Sequence, residues 1–249
     1  MSDHSVTAVV LGRWQTNCVV ISDHATRRAV VVDPGEGGAE QLPPVLARLD
    51  VEAEAILLTH GHLDHLWSAP ALAEHLDVPV HLHPADRWLW DDPGAGLGLP
   101  GGPSPRVLAD QLGLRWDPAD ERLRDLAEGQ RLDLAGVGIS VAHTPGHTPG
   151  SVTFLLHDVA GADVALAVGR DQSAPAEVLL SGDLLFAGSI GRVDLPGGDM
   201  DQMTDSLRRH LPALADDTLV VSGHGPDTTI GHERSTNPFV RRALAKDHP

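Results

Sequence analysis

Four times in this chain a short apolar run ends at a histidine or aspartate flanked by glycine, and this recurrence restricts the fold more than any other feature. Residues 55–58 lead into Thr59-His60-Gly61-His62-Leu63-Asp64-His65. Similar runs precede His147 in Thr144-Pro145-Gly146-His147-Thr148, Asp183 in Ser181-Gly182-Asp183, and His224 in Ser222-Gly223-His224-Gly225. A short apolar run closed by such a turn reads as a buried strand. In open α/β folds ligands collect at the carboxyl ends of strands, and glycine lets the backbone crowd toward them. Delivering polar groups from four strand ends to one edge requires sheets and helices stacked in layers.

The remaining pattern fits an α/β chain. Strands are expected over residues 6–11, 18–21, 29–32, 55–58, 137–142, 152–156, 164–168, 178–180 and 218–221. Between them, Pro43-Pro44 would open a helix ending near Leu49, Ser68 would cap one running to Leu76, Asp199 one running to Leu211, and Asn237-Pro238 one at the C-terminus. Near-continuous apolar strands imply sheets covered on both faces. One domain over 1–249 is expected, with loop excursions at about 91–125 and 160–176.

Composition narrows the partners. With 35 acidic against 18 basic side chains the formal charge is −17, which repels phosphate backbones and anionic lipid surfaces. A small-molecule substrate is therefore expected, with no nucleic acid and no membrane. Cys18 has no second cysteine to pair with, no apolar stretch reaches spanning length, and the start does not resemble a signal peptide. The expected location is the cytoplasm.

His60, His62, Asp64 and His65 place three imidazoles and a carboxylate within six positions. Helical metal pairs recur three or four residues apart, so spacings of two and one predict a loop here and not a helix. The expected partition puts His60, His62 and His147 on one ion and Asp64, His65 and His224 on a second, with Asp183 between them. Two divalent ions about 3.5–4 Å apart hold a shared hydroxide at neutral pH, because each lowers the pKa of bound water. Zinc is the first choice, and iron or manganese suit the same donors. Asp33 either orients a ligand histidine or makes its Asp-Pro-Gly turn. His143 reads as supporting, His75, His81 and His83 as surface or packing groups, Cys18 as a buried small hydrophobe, and Trp88-Leu89-Trp90 as core ahead of pocket wall.

The order His60-x-His62-x-Asp64-His65, His147, Asp183, His224 resembles the metallo-β-lactamase fold superfamily, from the Asp33-Pro34-Gly35 turn onward. Within it, Thr144-Pro145-Gly146-His147-Thr148, Gly182-Asp183-Leu184-Leu185-Phe186-Ala187-Gly188 and Gly223-His224-Gly225-Pro226 are similar to glyoxalase II, the hydroxyacylglutathione hydrolases, of the short type. The resemblance implies an αββα four-layer sandwich with its site along one rim. It also implies a binuclear hydrolase that splits a small S-2-hydroxyacyl thioester into 2-hydroxy acid and thiol, with Asp64 or Asp183 receiving the proton of the attacking water. An aspartate at the third strand end argues against those β-lactamases that carry a cysteine ligand there. Arg192 matches a basic residue that follows the bridging aspartate and would clamp a substrate carboxylate, although pairing with Asp194 is the simpler reading. The tyrosines that contact the thiol carrier in these hydrolases have no counterpart in a chain without tyrosine, so the carrier stays open. The superfamily also contains a mononuclear iron persulfide dioxygenase, lactonases and phosphodiesterases. The dioxygenase has no need of Asp64, His65 and His224 as ligands.

Overall fold

The computed structural model describes residues 4–98, 111–113, 116, 120–159 and 176–245. One sheet runs in the order β1 (His4–Leu11), β2 (Thr16–Asp23), β3 (Arg28–Val32), β4 (Glu52–Leu57), β5 (Val80–Leu82) and β6 (Leu123–Asp125). Its first three strands are antiparallel and the rest parallel. The other sheet runs in the order β14 (Thr228–Thr229), β13 (Leu219–Ser222), β10 (Ala176–Gly182), β9 (Val152–Val159), β8 (Val137–His143) and β7 (Arg131–Leu134). A small ribbon pairs β11 (Leu185–Phe186) with β12 (Ser189–Ile190).

Period-two alternation along the apolar strands builds the layers. Val19, Ile21, Val30, Val32 and Leu57 of the first sheet pack with Ile139, Val141, Phe154, Val178 and Leu180 of the second, forming the central core. The intervening Cys18, Val20, Ala29, Val31 and Ile56 turn the other way and meet α1 (Gly38–Leu49), α2 (Leu63–Leu66) and α3 (Ala69–Leu76). After β5 comes the short α4 (Arg87–Asp91), whose Leu89 and Trp90 are buried as the sequence suggests. On the far side, Leu179 and Val220 meet α5 (Met200–His210), α6 (Ile230–Thr236) and α7 (Pro238–Leu244). The result is the expected αββα sandwich of four layers. All eight residues of β2 are buried because both of its faces are covered.

Caps and prolines show where local rules hold. Asp199 accepts from the backbone nitrogens of Asp201 and Gln202, and Asn237 from those of Phe239 and Val240, so both are N-caps as read. Ser68 precedes α3 but does not cap it with its side chain. Its hydroxyl donates instead to Gly35 O at 2.7 Å, tying the helix start to the Asp33 turn. Pro43 and Pro44 do not open α1, which already begins at Gly38. The carbonyls they leave without a helical partner belong to the half-exposed Ala39 and the exposed Glu40, on the solvent side, while Leu42 and Leu46 carry the burial.

The excursion expected at about 91–125 is not all loop. Its described end contains β6, which pairs in parallel with β5. The strand expected over 164–168, and nearly all of the 160–176 excursion, lie outside the described residues. No described helix is long and apolar enough to cross a membrane.

Candidate metal centre

The His-x-His-x-Asp-His run does not stay in a loop. His60 and Gly61 lie outside regular structure, but His62, with an extended backbone, stands at the N-cap position of α2, and Asp64 and His65 lie within that helix. A helix advances about 100° per residue, so the neighbours Asp64 and His65 still point in different directions there. The spacing rule failed because it considered only pairs on one helical face.

Which nitrogen each imidazole turns inward follows from what its other nitrogen meets. Thr59 donates its hydroxyl proton to Asp33 Oδ2 at 2.6 Å, so it accepts from His60 Nδ1 at 3.0 Å. His65 Nδ1 donates to the same Asp33 Oδ2 at 2.9 Å. His147 Nδ1 donates to the Arg192 carbonyl at 2.7 Å, and His224 Nδ1 to the Trp14 carbonyl at 3.0 Å. With Nδ1 engaged, all four rings keep Nε2 free for a proton or a cation.

Those nitrogens converge. His65 Nε2 and His224 Nε2 are 3.2 Å apart, and His147 Nε2 is 2.8 Å from His62 Nδ1. Asp64 Oδ2 lies 3.1 Å from His224 Nε2 and 3.6 Å from His65 Nε2. Asp183 sits between the pairs, with Oδ1 3.4 Å from His65 Nε2 and Oδ2 3.4 Å from His147 Nε2. Three overlapping groups have ligand atoms within 4.8 Å of one another: His60, His62 and His147; His60, His65 and Asp183; Asp64, His65 and His224. His60 Nε2, His62 Nε2 and Asp183 Oδ1 are buried with no hydrogen-bond partner among the described residues. Orphaned polar atoms are costly to bury, and a divalent cation satisfies several at once. The donor set thus fits the metal chemistry expected of it.

Glycine makes room where the lines of chain meet. A Cβ on Gly223 would run into Asp183 Oδ1 and lie 2.8 Å from His65 Cε1. Asp33 does both jobs the sequence offered it. Its φ of 52° makes the turn, and its carboxylate orients His60 through Thr59 and His65 directly. His143 bonds the Pro149 carbonyl and stacks on His83, away from the cluster. Arg192 pairs with Asp194 through both carboxylate oxygens at 2.7 and 2.8 Å, yet lines the same cleft as the histidines. Trp14 and Asp86 escaped sequence reading. Trp14, in the β1–β2 turn, supplies the carbonyl that holds His224 and an aromatic wall of the cleft.

Electrostatics divide the cluster, favouring positive charge beside the carboxylates and opposing it on the buried first group. Burial works against a charged His65, yet Asp64, Asp33 and Asp183 hold its imidazole up to about 10. Burial and the neighbouring imidazoles push His60 well below its usual value and His62 down to about 3. In the metal-free chain the unfolded state binds protons on His60 and His62 near pH 6.5, while the folded state resists them. Stability therefore falls as the pH drops below about 6.5, by up to about 1.4 kcal/mol per pH unit for each ring. His65 acts in the opposite sense, its contribution being complete below about pH 6.5 and lost as the pH rises through 10. Urea unfolding of chelator-treated protein should give a lower midpoint at pH 5 than at pH 7. A midpoint equal or higher at pH 5 would contradict the burial of neutral rings.

A four-layer sandwich that gathers histidines and aspartates at its strand ends, around a cleft, suits a metal-dependent hydrolase. Comparison with known families agrees: the model described as "Metallo-beta-lactamase superfamily" matches residues 11–160. The chain belongs to the metallo-β-lactamase superfamily. It is 34% identical over 240 residues to the hydroxyacylglutathione hydrolase GloC of Haemophilus influenzae, covering 95% of this chain and 98% of that protein. Among solved structures it is similar to the BLEG-1 B3 metallo-β-lactamase (TM-score 0.74, 37% identity, 94% of this chain and 99% of that one). It is also similar to TTHA1623 in a di-iron-bound form (TM-score 0.70, 36% identity, 94% and 99%).

Proposed function

We propose that this protein is a cytoplasmic binuclear hydrolase of a small thioester, of the S-2-hydroxyacyl type, releasing a 2-hydroxy acid and a thiol. His60, His62 and His147 would hold one ion, Asp64, His65 and His224 the other, and Asp183 both, with zinc ahead of iron or manganese. The observation that carries this reading is the position of Asp183 between two imidazole groups whose free nitrogens face each other across it. The similarity to GloC, a hydroxyacylglutathione hydrolase, supports the thioester.

Two divalent ions supply, when bound, water of lowered pKa and an electrophilic contact for a carbonyl oxygen. The chain's own residues do the rest. Asp64, hydrogen-bonded to His224 Nε2 and open to the cleft, is placed to receive a proton from the attacking water. A thiol with pKa about 8.5 departs with little acid assistance, which suits a cleft with no lysine or tyrosine among its described wall residues. The cleft measures about 530 Å³, and Trp14, Leu63, Leu97, Phe186, Ile190 and Leu195 give it apolar walls. Such a surface excludes water from the scissile bond and grips an acyl or thiol chain by contact area. Arg192 is the one cation on the described wall, and exchanging Asp194 for a substrate carboxylate would orient the acid end.

A thioester panel that keeps the lactoyl group and varies the thiol tests this reading, with a chromogenic β-lactam beside it because one structural relative bears that name. Metal-dependent thiol release is the expected result. Turnover of the β-lactam alone, or of no thioester at full metal loading, would overturn the proposal.

A further inference from the structure

Asp86 lies just after β5, in the short helical turn Pro84–Asp86, and its side chain is wholly buried. Its carboxylate reaches into both loops that carry the first group of histidines. Oδ2 accepts from Gly61 N at 2.8 Å, between His60 and His62, and from Thr148 Oγ1 at 2.6 Å, next to His147. Oδ1 accepts from Gly150 N at 2.6 Å. Thr148 in turn meets Ser151 Oγ at 2.8 Å, which closes the second loop on itself. The fit is tight from both sides. A Cβ on Gly150 would lie 2.6 Å from Asp86 Cγ, and one on Gly61 3.2 Å from Asp86 Cβ.

These two loops belong to different sheets, one following β4 and the other joining β8 to β9. His62 Nδ1 and His147 Nε2 can meet at 2.8 Å only if the loops hold one register. Besides the Val152 N to Thr59 O bond, at 2.8 Å, the Asp86 carboxylate is what joins them. A buried carboxylate that makes no ion pair among the described residues is destabilising unless its neighbours compensate it, and three donors do so here. Asp33 anchors the second group by bonding His65 directly, and it reaches the first only at His60, through Thr59, and not at the His147 loop.

We infer that Asp86 is a positioning residue that sets the spacing of His60 and His62 against His147, and so tunes metal affinity at that group and not at the group formed by Asp64, His65 and His224. The inference rests on the two-ion reading, not on the thioester. Asp86→Asn cannot satisfy all three donors, because its amide must turn an N–H toward Gly61 and Thr148 or toward Gly150. Loss of such an outer partner weakens metal binding by about 10–100-fold.

The test is a Co2+ titration of chelator-treated protein, followed by the visible absorption of the bound ion. His224→Ala leaves the first group to be measured alone, and His147→Ala leaves the second. Asp86→Asn should weaken binding by about 10–100-fold and shift the Co2+ bands in the His224→Ala background, with both unchanged in the His147→Ala background. Thr148→Val, which keeps the carboxylate, should give a smaller loss in the same background only, and it decides the matter if Asp86→Asn does not fold. Equal losses in both backgrounds, or none in the first, would overturn the role assigned to Asp86. A parent chain that binds no Co2+ would instead sink the metal centre and this inference with it.

Discussion

Asparagine in place of Asp183 is expected to lower thiol release by about a thousandfold or more, the loss that accompanies several kcal/mol of transition-state stabilisation. Its two oxygens lie 3.4 Å from His65 Nε2 and 3.4 Å from His147 Nε2, so one carboxylate serves both imidazole groups. An amide of the same size keeps the packing against Gly223 but turns an N–H donor toward one side and removes the shared negative charge. Holding two cations close together depends on that charge, because their mutual repulsion is strong where water is scarce. The unfolding midpoint of the metal-free variant should stay near that of the parent, which separates a site effect from a folding effect. Retention of more than a tenth of the parental kcat would contradict the bridging position given to Asp183.

Chelation is the second large effect. Removing the ions should abolish turnover and lower stability together, by about 3–4 kcal/mol for each ion held at 100–1,000 times its dissociation constant. The physical reason is the local charge. Asp33, Asp64 and Asp183 crowd imidazoles that are buried, and without cations it falls to protons on His65 and His224 to offset their charge. Adding back a divalent ion should restore both quantities in parallel. Full stability after chelation, with activity lost, would mean that the folded cluster does not need its positive charge.

The layers and the ligand candidates were legible because they rest on local signals. Strands such as 18–21 and 29–32 are apolar throughout, and both of their faces prove to be covered. Glycine beside His147, Asp183 and His224 marked the places where backbone crowds the centre. What stayed hidden depends on partners far along the chain. Trp14 meets His224 across 210 positions and Asp86 meets Thr148 across 62, and neither contact leaves a periodic trace. The short β6 was missed because three residues carry too little alternation to register. α2 was missed because a helix of one turn can begin inside a ligand motif without caps. The Pro43-Pro44 pair misled for a similar reason, since exposed carbonyls in α1 tolerate the missing donors.

The count of divalent ions per chain, taken by elemental analysis after reconstitution and removal of loosely held metal, tests the central claim most directly. Two ions for the parent, falling to one when His224 is replaced by alanine, is the expected result. One ion or none in the parent, or two in both proteins, would contradict a site in which seven side chains share a pair of cations.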